Sequence, residues 1–79
     1  MRVLLYNDGH LMVTEIEEAC YCSELSEYET IEASGEGLLL CGEDSIFGFP
    51  GISQYECEFI VKELYNTGKY DLTRHGNAM

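Results

Sequence analysis

"VLLYNDGHLMVTEI", residues 3–16, holds two apolar runs separated by Asn7-Asp8-Gly9. Glycine accepts the left-handed backbone that a short hairpin loop needs, so the stretch reads as two strands, residues 3–6 and 11–16, joined by a tight turn. Further along, "YETIEA" (residues 28–33) and "LLLC" (residues 38–41) flank Ser34-Gly35-Glu36-Gly37, a second hairpin pattern with turn residues at its centre. Both hairpins are expected in one antiparallel sheet. Residues 17–27 between them alternate only weakly, and a strand extension or a short helical turn fits them equally well.

"ISQYECEFIVKELYNTG", residues 52–68, carries helix punctuation. Ser53 and Glu56 match a capping box, Ile52 and Cys57 stand where a hydrophobic staple would, and Gly68 supplies the stop. At helical spacing Cys57, Ile60, Val61 and Leu64 face the sheet, while Glu56, Glu58, Lys62, Glu63 and Asn66 face outward or flank them. The expected fold is therefore α+β: one domain over residues 1–79, with a small antiparallel sheet of about four strands in two hairpins packed on one C-terminal helix. Residues 3–6 and 38–41 are apolar without a break, which predicts cover on both faces of the sheet. The loop "SIFGFPGI" (residues 45–52), "KYDL" (residues 69–72) as a returning strand or strap, and a second copy of the protein are the three candidates for that cover.

Charge narrows the function. Fifteen Asp and Glu stand against four Lys and Arg, for a net charge of -11. From Val3 through Val61 there is no Lys or Arg at all. Phosphate affinity rests on Lys and Arg, so direct nucleic-acid binding is disfavoured, and a basic partner is favoured. The first apolar run is too short for a secretory signal or a membrane span, which points to a cytoplasmic protein with reduced thiols.

No constellation in the sequence names a reaction. Cys20 and Cys22 would share a strand face, but zinc sites more often space their ligands by two to four residues, and Cys41, Cys57, His10 and His75 are dispersed. Buried small side chains explain Cys41 and Cys57, and the acidic setting opposes a thiolate nucleophile. "GEGLLLCG" (residues 35–42) lacks dinucleotide-binding spacing. No catalytic residue, metal or cofactor is assigned. A cysteine-based zinc module or a homodimeric structural protein is the alternative.

The partner-binding candidates are two aromatics and six acids. Tyr55 and Phe59 lie four apart on the helix face opposite the core positions, between Glu58 and Glu63, as an aromatic anchor ringed by acids would. Glu15 with Glu17, and Glu27 with Glu29, are pairs two apart. If extended, such pairs recur at about 6.6 Å, and adjacent strands would interleave them toward the roughly 3.4 Å charge spacing of a DNA strand. In size and acidity the chain resembles phage-encoded inhibitors of the anti-CRISPR and anti-restriction type. That compositional likeness, carried by no motif, implies a nucleic-acid mimic that blocks a basic nucleic-acid-handling protein.

Overall fold

The structure, a computed structural model, describes residues 1–73. The first hairpin forms as its turn chemistry dictates: β1 (Arg2–Asn7) and β2 (His10–Glu15) pair antiparallel from Asn7 opposite His10 to Arg2 opposite Glu15. Asp8 and Gly9 both take positive φ, 51° and 86°, the conformation a two-residue hairpin requires. The pairing sends Val3 and Leu5 inward and leaves Leu4 and Tyr6 outside.

The helix, α1 (Gln54–Thr67), begins and ends where its caps stand. The Glu56 amide donates to Ser53 Oγ at 3.3 Å, which caps the first turn, and the Ser53 hydroxyl donates to Glu56 Oε1 at 3.1 Å, which ties the two side chains together. Cys57, Ile60 and Leu64 are buried. Gly68 is the left-handed C-cap, and it turns the chain back along β1.

The sheet differs from expectation in strand number and arrangement. Among the described residues, six strands form two three-stranded sheets. The first has the order β2-β1-β6, where β6 (Lys69–Asp71) runs parallel to β1; "KYDL" returns as an edge strand of the sheet and not as the cover over its face. The second is antiparallel, with β4 (Gly37–Cys41) between β3 (Glu18–Cys22) and β5 (Ile46–Pro50). α1 packs on β3, β6 and β4, and the main core joins Val3, Leu5, Leu38, Leu40, Ile60 and Leu64.

The second hairpin over residues 28–41 does not form. Residues 28–33 are irregular and follow a 3-10 turn at Leu25–Glu27, and the strand that pairs with β4 comes instead from the ambiguous segment before them. Side-chain chemistry explains the outcome. As a strand, residues 28–33 would put Glu29 on the same face as Ile31 and Ala33; as an irregular cover they turn Tyr28, Ile31 and Ala33 onto Leu39 and Cys22 with Leu25. Glu24 closes this cover, because its carboxylate accepts from the amides of Gly35 at 2.7 Å and Ser26 at 3.4 Å and from the Ser26 hydroxyl at 2.7 Å. A Cβ on Gly48 would sit 2.9 Å from Ile31 Cγ2, so glycine is what lets the cover lie flat on β5.

The continuous run in β4 is thus satisfied on both faces, by the main core and by residues 25–33. "SIFGFPGI" supplies β5 rather than a lid. The run in β1 has no such second cover among the described residues: Leu4 and Tyr6, with Leu11 and Val13 of β2, remain exposed. Among the described residues no helix is long and apolar enough to cross a membrane.

Candidate functional site

α1 positions the aromatic pair by simple periodicity. With Cys57, Ile60 and Leu64 marking the buried side, Tyr55 stands about 170° away and Phe59 about 130° away. Their exposures follow, 84% for Tyr55 and 50% for Phe59. Phe59 leans toward β6 and meets the buried Tyr70 edge to face, ring centres 6.2 Å apart at 73°. Glu58 and Lys62 are exposed beside them and Glu63 is half-buried. The result is one solvated aromatic ring next to one anchored ring, with carboxylates around both.

The opposite flank of the helix holds an aromatic that sequence reasoning passed over. Tyr65 is half-exposed, and its hydroxyl accepts from the Ala19 amide of β3 at 3.4 Å. Between α1 and β3 lies a shallow hollow lined by Ala19, Cys20, Tyr21, Glu58, Val61 and Lys62. The signal for Tyr65 was its position three residues beyond Lys62 on the outer half of the helix.

The acids do not gather on one surface. Glu58 and Glu63 accompany the aromatics on α1. Glu17, in the bend between β2 and β3, borders a hollow with Thr14, Glu15, Glu43, Asp44 and Ser45. Glu27 and Glu29 belong to the cover over the second sheet, the first in the 3-10 turn and the second in the turn after it. Rows of carboxylates along paired strands are therefore not formed, because Glu17, Glu27 and Glu29 all lie outside the strands. Glu15 is engaged within the chain: its carboxylate is 3.3 Å from the terminal amine of Met1 and 3.6 Å from Arg2 Nε. Glu17, Glu27, Glu29, Glu58 and Glu63 form no ion pair with any described residue.

The cysteines are packing groups by environment. Cys20 and Cys22 do share a face of β3, joined there by Cys41 of β4, beneath Tyr28 and Ile31. All four thiols are free. Burial, then the neighbouring Cys41 and Glu18, raise the Cys20 pKa, and burial followed by Glu18 does the same for Cys41. Cys57, sealed under the helix with its thiol 3.7 Å from the Ile52 carbonyl, is pushed up to about 11, chiefly by burial. Such thiols stay protonated near neutrality, the opposite of an activated nucleophile. Among the described residues no group of three or more His, Cys, Asp or Glu side chains is arranged to hold a metal ion. His75 lies outside the described residues.

Comparison of the chain with protein-family models, with curated proteins and with solved structures gives no match.

Proposed function

We propose that the protein acts by binding, presenting the Tyr55 and Phe59 face of α1 and the carboxylates around it to a basic surface on another protein. The observation that carries this reading is Tyr55. A large aromatic on a regular helix, 84% exposed and about opposite the core, contributes little to burial in the fold. Flanked by Glu58 and by the half-anchored Phe59, it offers the amphipathic aromatic contact that protein interfaces favour. The charge selects the partner's sign, because a chain at -11 attracts cationic surfaces and repels anionic ones.

Proteins that handle nucleic acid carry such cationic surfaces, and occupying one would inhibit its owner. That inhibitory role rests here on net charge and on the carboxylate clusters of loops and helix, not on a strand-borne copy of phosphate spacing. Tyr55→Ala tests the reading. It should weaken partner binding by about 2 kcal/mol or more while leaving the unfolding midpoint in place. Unchanged affinity would remove the aromatic site from the interface.

A further inference from the structure

The outer face of the β2-β1-β6 sheet is the one apolar surface that the strand pattern creates and the described fold leaves open. Opposite residues of an antiparallel pair share a face, so the register sets out three rows: Glu15 beside Arg2, Val13 beside Leu4, and Leu11 beside Tyr6. The parallel strand adds Lys69 beside Leu4 and Asp71 beside Tyr6. Leu4, Tyr6, Leu11 and Val13 are 36 to 58% exposed and contiguous. Charge makes the face unusual. Arg2 and Lys69 balance Glu15 and Asp71, so this face is neutral and the rest of the chain carries the whole -11. A strongly acidic protein can meet its own copy only where the repulsion is cancelled, and this surface meets that condition.

We infer that this face is a self-association surface, on which two copies stack sheet to sheet about a two-fold axis running along the strands between β1 and β2. That axis lays β1 of one subunit over β2 of the other. Leu4 then meets Val13 of the partner subunit, Tyr6 meets Leu11 of the partner subunit, and Arg2 meets Glu15 of the partner subunit, each contact occurring twice as an isologous interface demands. An axis across the strands would instead set Glu15 over Leu11 and Arg2 over Tyr6, stripping water from both charges with only apolar side chains opposite them, so the charge pattern selects the first arrangement. The overlap is carried by β1 and β2, two strands about 4.8 Å apart with six residues at about 3.3 Å each, and measures about 10 by 20 Å, with β6 at its margin. This is smaller than the roughly 800 Å² per partner of a standard interface, so the dimer is concentration-dependent.

Sedimentation of the full chain over a concentration series tests this. The 8.9 kDa mass should double as concentration rises, and Leu11→Glu or Val13→Glu, both at exposed positions, should abolish the doubling with unchanged circular dichroism. The axis has its own readout. When Val13→Cys and Leu4→Cys chains are mixed and oxidised, peptide mapping should show cross-links between the two introduced positions exceeding those between like positions. A monomer at every concentration, a dimer indifferent to Leu11→Glu, or a preference for like-position cross-links would each overturn the proposal.

Discussion

Phe59 is held on one side and wet on the other, which gives it two roles that substitution can separate. Its contact with Tyr70 is an edge-to-face pair of the kind worth about 0.5–1.5 kcal/mol beyond area burial. Phe59→Ala should therefore lower stability by about 1–2 kcal/mol, whereas Leu64→Ala, which empties a fully buried site, should cost about 2–5 kcal/mol. Urea unfolding of the two variants checks the difference; equal losses would place Phe59 in the core and leave Tyr55 alone as the contact residue. Tyr55 and Phe59 were legible in the sequence because a capped helix fixes its own faces. Glu15 was not, since its ion pairs come from Met1 and Arg2, thirteen or more residues away across the hairpin.

Among the elements, those with local signals formed where the sequence put them: the Asp8-Gly9 turn, the Ser53 and Glu56 capping box, the Gly68 stop. The second sheet depended on contacts that no local pattern encodes. β3 pairs with β4 across fourteen intervening residues, and the segment between them is kept out of the sheet by its own apolar side chains and by Glu24. The hydrogen bonds from Gly35 first, then Ser26, hold the Glu24 carboxyl below its usual range. A group with a lowered folded pKa stabilises the folded state above its unfolded value, near 4.5, and loses that contribution as pH falls through the folded value. Protection of the amides in residues 25–35 against exchange should accordingly fall in acid before the rest of the fold opens. Glu24→Gln should make that opening largely independent of pH, and exchange in this segment that tracks the global unfolding at every pH would show that the Glu24 contacts do not govern it separately.

For the molecule as a whole, charge and topology assign different work to different sides. The neutral face of β1 and β2 suits a second copy, the cover over the second sheet is closed by Glu24, and α1 turns its aromatics and acids outward. The sign of the net charge could be read from composition alone. The division of the carboxylates into three patches could not, because it follows from where the bends at Glu17, Glu27 and Glu29 fall in the assembled fold. Exposed carboxylates steer a cationic partner over distances that salt shortens, from a screening length of about 8 Å at physiological ionic strength to about 3 Å at 1 M. The most direct measurement is the association rate of the partner captured on immobilised wild-type chain, taken across this range for the wild type and for Tyr55→Ala with Phe59→Ala. The expected result is a basic partner whose association slows steeply with salt and whose complex with the double variant dissociates faster. An association rate indifferent to salt, together with unaltered binding by the double variant, would contradict it.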